Sequence, residues 1–179
     1  GKKHKIPVIY DIGSGLLRKV NEKALTTEPD VKTALASGID LITFSGDKLI
    51  GGPQCGIIAG KAKIIRQLKK EPLLRALRVC KTTLALLEKS LIYYLNDKTL
   101  AKNNMVFKIL NRKPNDIKNC AEKLHFQLSE NNIPSQVIKS KGKYGGGSAP
   151  NYEIDSYAVQ LNVEGSTKQR SKYAEMMYF

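Results

Sequence analysis

The stretch Leu41-Ile42-Thr43-Phe44-Ser45-Gly46-Asp47-Lys48-Leu49-Ile50-Gly51-Gly52-Pro53-Gln54-Cys55-Gly56 decides the fold. Its first half is an apolar, β-branched run, and the expected buried strand covers residues 39–44. Gly46 and Asp47 mark a turn, Lys48 follows, and Gly51-Gly52-Pro53 is a bend. Upstream, Ile6-Pro7-Val8-Ile9-Tyr10 reads as a second buried strand that ends at Asp11, with Ile12-Gly13-Ser14-Gly15 as its turn. Between the two, Glu28-Pro29-Asp30 opens a helix over residues 28–37, where Val31, Ala34 and Leu35 recur at helical spacing and Gly38 closes it. Downstream, Gly56-Ile57-Ile58-Ala59-Gly60 is a third short strand. Strand–helix–strand order with apolar strands predicts a largely parallel α/β sheet.

The rest of the chain reads as helices followed by a smaller α+β unit. Residues 61–70 are amphipathic, with Ala62, Ile65 and Leu68 on one face and lysines and Arg66 elsewhere; Pro72 breaks this segment. Residues 82–95 form a strong helix with Leu84, Leu87, Leu91 and Tyr94 on one stripe. Asn96-Asp97-Lys98 and Asn103-Asn104 mark a polar stretch beyond it. Then come a helix over 114–130 with Ile117, Ala121, Leu124 and Leu128 inward, and a strand over 135–138. A basic, glycine-rich loop over 140–152, a strand over 156–163 and a helix from Thr167 complete the chain. The expected division is a large domain over 1–100, which includes the long helix, and a small C-terminal domain over 101–179.

Composition narrows the class. With 41% hydrophobic residues in 179, a packed core is available and global disorder is excluded. No run of eighteen apolar residues is present, so no membrane span is expected. Three scattered cysteines and two histidines, without CxxC spacing, give no zinc site and fit a reducing, cytoplasmic setting. The net charge of +14 fits an anionic partner, nucleic acid first, and equally a generally basic, lysine-rich proteome.

The chemistry rests on Asp11 and Lys48. They are 37 residues apart, each at a strand end, with one crossover helix between. In an open parallel sheet both ends face the same ligand crevice. Pyridoxal phosphate (PLP) needs an acid to hold its pyridine nitrogen protonated, a lysine to carry its aldehyde as a Schiff base, and donors for its phosphate. Spacing alone leaves the plainer readings open: Lys48 as a solvated loop lysine, and Asp11 as a cap for the Gly13-Ser14-Gly15 turn. Arg75 and Arg78 are spaced to share a helix face and meet carboxylates. Cys55 and Cys80 read as small fillers, Cys80 a buried one, and His125 as structural. The lysines of 61–70 and of 139–143 read as solvated residues or as contacts for a phosphate backbone.

Three strings go further. They are Pro7-Val8-Ile9-Tyr10-Asp11-Ile12-Gly13-Ser14-Gly15, Ser45-Gly46-Asp47-Lys48-Leu49-Ile50-Gly51-Gly52-Pro53-Gln54, and Pro72-Leu73-Leu74-Arg75-Ala76-Leu77-Arg78-Val79 with Lys81-Thr82-Thr83-Leu84. In this order they resemble the bacterial selenocysteine synthase family, the L-seryl-tRNA(Sec) selenium transferases. Gly145-Gly146-Gly147-Ser148 and Ser156-Tyr157-Ala158-Val159-Gln160-Leu161 are similar to the family's small domain. The resemblance implies a fold-type-I PLP-dependent transferase that assembles as a homo-oligomer. It implies Lys48 as the Schiff-base lysine, Asp11 at the pyridine nitrogen, Ser45 at the cofactor phosphate and Asp47 beside the reacting centre. It implies Arg75 and Arg78 as the binders of an anionic selenium donor, since guanidinium matches phosphate-like oxygens with two parallel bonds. The reaction so implied converts seryl-tRNA(Sec) to selenocysteinyl-tRNA(Sec) with selenophosphate, through an aminoacrylyl intermediate.

The resemblance also implies that the phosphate loop, the group that stacks on the cofactor ring and a tRNA-recognition domain lie upstream of Gly1, and that the small domain is cut short. Little or no selenium transfer is therefore expected from the 179 residues alone. Two other readings remain: a fold-type-I lyase acting on cysteine or cystathionine, and a basic, non-catalytic RNA-binding module.

Overall fold

The computed structural model describes residues 1–143 and 152–162. The triple glycine at 145–147, the end of the last expected strand at Val163 and the helix from Thr167 lie outside the described residues. The described residues form two compact units. One holds Gly1–Asn111 with Lys143 and Tyr152; the other holds Arg112–Gly142 and residues 153–162.

The first unit is built on a three-stranded sheet. Strand β1 (Ile9–Gly13) pairs in parallel with β2 (Leu41–Ser45), with Ile9 opposite Leu41 and Asp11 opposite Thr43. Helix α1 (Val31–Ala36) makes the crossover, and Asp30 caps it by accepting from the Thr33 amide at 2.9 Å. The third strand, β3 (Gly56–Gly60), runs antiparallel to β2, with Ser45 opposite Gly56 and Leu41 opposite Gly60. The sheet expected to be largely parallel is therefore mixed here, one pairing parallel and one antiparallel. A parallel return needs a crossover of roughly a dozen residues or more, usually a helix. Here the β2–β3 connection folds straight back, with the Gly46 amide donating to the Cys55 carbonyl at 2.9 Å and the Gly52 amide to the Gly46 carbonyl at 2.8 Å. The first strand also begins later than expected, and Asp11 lies inside β1 rather than just past it.

Two apolar clusters form the core of this unit. Val31, Ile42, Phe44 and Ile50 form one, with Leu35 of α1 packed against it. Leu16, Leu25, Leu49, Tyr94, Leu100 and Phe107 form the other. The neighbours Leu49 and Ile50 are thus buried in different clusters, so the chain that follows Lys48 is pinned on two sides.

The helices are α2 (Ala62–Leu68), α3 (Pro72–Ala76), α4 (Lys81–Tyr93), α5 (Asp97–Asn103) and α6 (Met105–Leu110). The inward line of α4 and its cap is Thr83, Leu87, Ser90 and Tyr94, whereas Leu84 and Leu91 of the expected stripe are exposed. Leu87 and Tyr94 of the expected stripe keep their inward place, and a half-buried Thr83 and a buried Ser90 take the positions expected for Leu84 and Leu91, because small polar side chains carry no apolar signal in the sequence. The polar stretch 96–104 is filled by α5, and α6 follows it directly. Asn96 caps α5 by accepting from the Lys98 and Thr99 amides, and Asn104 caps α6 by accepting from the Val106 and Phe107 amides. Asparagine reads as a loop residue and is equally a preferred helix N-cap.

The second unit packs α7 (Pro114–Glu130) on a two-stranded sheet of β4 (Ser135–Lys143) and β5 (Glu153–Leu161). Ile117, Ala121, His125 and Leu128 face inward, and Leu124 is 43% exposed. His125 holds Ser135 at 2.8 Å, which ties the helix to the first residue of β4.

Asn104 is 1% exposed and works in both directions, capping α6 with its oxygen and donating its amide to the Ile50 carbonyl at 2.7 Å. Asn104→Leu removes the cap and leaves that carbonyl unpaired. The expected loss is about 2–4 kcal/mol of unfolding free energy, read by urea denaturation of the chain and its variant.

Candidate functional site

Lys48 stands three residues past the end of β2 and is half-buried. Its ammonium lies over the end of β1: a Cβ built on Gly13 would be 3.6 Å from Nζ. Gly13 has φ +66°, a left-handed conformation that glycine takes without strain. The Leu49 amide donates to the Ser14 carbonyl at 2.9 Å, so the lysine loop and the β1 turn are joined directly. Ser14 is buried, and its hydroxyl has no hydrogen-bond partner among the described residues.

Asp11 is exposed on β1, opposite Thr43. The Thr43 hydroxyl donates to Asp11 Oδ1 at 2.9 Å, which fixes one carboxylate oxygen. Its side chain takes up that threonine and not the amides of the following turn.

The three carbonyls after Lys48 are each held by a side chain from the α4–α6 region. Tyr94 donates to the Leu49 carbonyl at 2.5 Å and Asn104 to the Ile50 carbonyl at 2.7 Å, while the single Ser90 hydroxyl proton is shared between the Leu86 carbonyl of its own helix at 3.1 Å and the Gly51 carbonyl at 3.3 Å. Gly51 has φ +67°, and a Cβ there would sit 2.6 Å from Asn104 Oδ1. Only glycine fits both demands. Tyr94 also stacks edge-on against Phe107, with centroids 5.8 Å apart and planes at 89°. Burial pushes its phenol pKa well up, with Arg18 acting weakly against it, so the phenol keeps the proton it donates. Arg18 in turn donates to the Tyr94 carbonyl at 2.8 and 3.1 Å, closing the C-terminus of α4.

The remaining candidates are more scattered. Ser45 is half-buried at the end of β2, and Asp47 is exposed in the turn. Burial, and then the Asp47 charge, raise the Cys55 thiol pKa. Arg75 on α3 and Arg78 in the α3–α4 link are both exposed. Neither makes a hydrogen bond or ion pair among the described residues, so no carboxylate takes up the pair. Cys80, expected as a buried filler, is an exposed N-cap of α4 whose sulfur accepts from the Thr83 amide. The Thr83 side chain and then its amide lower this thiol to about 7, because both stabilise the thiolate.

Ser14, Thr43, Ser90, Tyr94 and Asn104 were not singled out as site residues from sequence. Each is an ordinary residue in an ordinary local string, and its role depends on a partner 32 or more residues away in four of the five cases. The donor set fits a pyridoxal phosphate: an amine at the end of the strand that carries the acid, a carboxylate fixed by one oxygen, and a buried hydroxyl without a partner among the described residues. Among the described residues, no cluster of His, Cys, Asp and Glu could hold a metal ion, and no helix is long and apolar enough to cross a membrane.

Residues 1–177 match the family model of L-seryl-tRNA selenium transferase. The chain belongs to the L-seryl-tRNA selenium transferase family. Relatives named L-seryl-tRNA(Sec) selenium transferase include that of Carboxydothermus hydrogenoformans, 42% identical over 164 residues, or 90% of this chain and 35% of the relative. That of Clostridium botulinum strain Loch Maree is 40% identical over 173 residues, or 95% and 37%. That of Alkaliphilus oremlandii is 41% identical over 163 residues, or 90% and 35%. The chain thus spans a little over a third of the length of these selenium transferases.

Two outcomes follow from the site's geometry. Tyr94→Phe strands the Leu49 carbonyl and is expected to cost about 1–3 kcal/mol of stability, measured by urea unfolding. Alkylation of Cys80 by iodoacetamide is expected to reach half its maximal rate near pH 7, with Cys55 requiring higher pH, read by mass spectrometry of the labelled peptides.

Proposed function

We propose that this chain carries the reactive lysine of a PLP-dependent selenium transferase that acts on seryl-tRNA(Sec) with selenophosphate. The observation that carries the reading is Lys48 Nζ beside Gly13, at the end of the strand that holds Asp11. Membership of the selenium transferase family supports it.

In this reading Lys48 holds the cofactor aldehyde, Asp11 faces the pyridine nitrogen, and Ser45 helps to hold the phosphate. The cofactor, when bound, supplies an electron sink for the seryl α-carbon. Thr43 keeps Asp11 in one rotamer, so its second oxygen is presented in a fixed direction. The Lys48 amine, once free, removes the α-proton of the seryl group and is placed to return it. Asp47 lies beside the reacting centre. Arg75 and Arg78, free of ion pairs among the described residues, bind the oxygens of selenophosphate. Across the whole reaction the seryl Cβ–O bond breaks and a Cβ–Se bond forms. The selenium–phosphorus bond also breaks, and the hydroxyl oxygen is accounted for in the phosphate released. The complete enzyme is a homo-oligomer.

The test is reduction with borohydride after PLP is added, followed by peptide mapping. Label on Lys48, absent in Lys48→Ala, is the expected result; label spread over surface lysines would sink the reading. In the complete enzyme, Asp11→Asn is expected to slow selenophosphate-dependent turnover of seryl-tRNA. Unchanged turnover there would remove Asp11 from its role.

A further inference from the structure

Residues 61–81 hold eight lysines and arginines against one acid, Glu71. This segment of 21 residues supplies half of the chain's net charge of +14. The fold sorts these charges. Lys61 is taken by Asp40, whose carboxyl is held below its usual range first by that lysine and then by the Val8 amide. On α2, Ile64, Ile65 and Leu68 are turned inward, and the helix packs on β3. Lys63, Arg66, Lys69 and Lys70 are all exposed, and none makes an ion pair among the described residues. The Lys69 and Lys70 amides continue the turn by donating to the Ile65 and Gln67 carbonyls at 3.0 Å each. Lys63, Arg66 and Lys70 therefore follow i, i+3, i+7 spacing along one outward face.

We propose that this face of α2 is a contact surface for the phosphate backbone of RNA, resting on the reading of a tRNA substrate given above. From Lys63 to Lys70 the face offers about 10 Å of track, enough for roughly three successive phosphates of one strand. It starts away from the reactive lysine. The Lys61 amide donates to the Asp40 carbonyl at 2.9 Å, beside Leu41, and Leu41 is one strand length, about 13 Å, from Ser45 on the Lys48 side. A substrate whose aminoacyl end is handled at Lys48 has its body at such distances. Guanidinium and ammonium groups with no internal partner supply affinity without base readout. A membrane surface fits this face less well. A helix that lies in a bilayer dips an apolar face into it, and the apolar face of α2 is spent on β3.

The test compares two quadruple variants of equal net charge. One is Lys63→Gln, Arg66→Gln, Lys69→Gln and Lys70→Gln. The other carries Lys32→Gln, Lys98→Gln, Lys102→Gln and Lys108→Gln, all exposed on other helices. Fluorescence anisotropy with a labelled RNA hairpin of acceptor-stem length is measured against potassium chloride concentration, and circular dichroism checks that both variants fold. The α2 variant is expected to lose at least about tenfold in affinity at 100 mM salt, with a log–log salt slope shallower by about three. The control variant should stay within about twofold of the parent. Equal loss in both variants would show bulk charge at work and overturn the proposal. Parent-like binding by the α2 variant would overturn it while leaving the tRNA reading intact. No binding by the parent chain would overturn it, and turnover of seryl-tRNA by the complete enzyme then decides the tRNA reading separately. Capture of the parent, but not the α2 variant, by phosphatidylserine vesicles without RNA binding would assign the face to membranes instead. Borohydride labelling of Lys48 in the α2 variant should match the parent, which separates this surface from the cofactor site.

Discussion

Three consecutive carbonyls, those of Leu49, Ile50 and Gly51, set the position of Lys48. They follow the lysine directly, and Tyr94, Asn104 and Ser90 each donate to one of them. Burial draws this segment in, since Leu49 is 3% and Ile50 0% exposed and each contributes about 1.5–3 kcal/mol. The same burial would strand the carbonyls, at about 1–3 kcal/mol each. The two effects are of equal size, so the segment is buried only because the donors are there. Hydrogen bonding makes the burial possible, and burial into two separate clusters makes the position unique.

The donors are themselves fixed. Arg18 closes the end of α4 at the Tyr94 carbonyl, and Asn104 is held by its cap on α6. A long-range chain of contacts therefore runs from α6 and α4 to the lysine loop, and from that loop through the Leu49 amide to the turn after β1. The parallel pairing of β1 and β2 adds the last element, because it sets Asp11 against Thr43. Amine and carboxylate are positioned by different devices, one by a clamped loop and the other by strand register. An aldehyde cofactor needs both groups rigid, since only fixed donors keep its ring oriented without paying to reorganise.

The charge of the molecule divides by role. Asp40 neutralises Lys61 at the far end of the sheet, and Asp155 meets Lys141 at 2.5 Å in the second unit. The arginines of α3 and its link and the outward face of α2 keep theirs without partners among the described residues. Exposed cations without partners add little to stability and leave their field for an anionic visitor.

The sequence by itself determined the local elements and the family. Gly56–Gly60 and Pro114–Glu130 have the bounds their glycines, proline and periodicity marked, and the string around Lys48 carried the resemblance that the family model bears out. These are local signals, each written within a few residues. Only the tertiary structure decided the antiparallel turn of β3, the helix that fills the polar stretch after α4 and the exposed setting of Cys80. It alone brought Tyr94, Asn104 and Ser90 to the carbonyls behind Lys48. Those contacts join residues 39 to 54 apart, and no periodicity records them. The reason is physical: a backbone carbonyl carries no sequence identity, so its partner can be named only once the chain has folded around it.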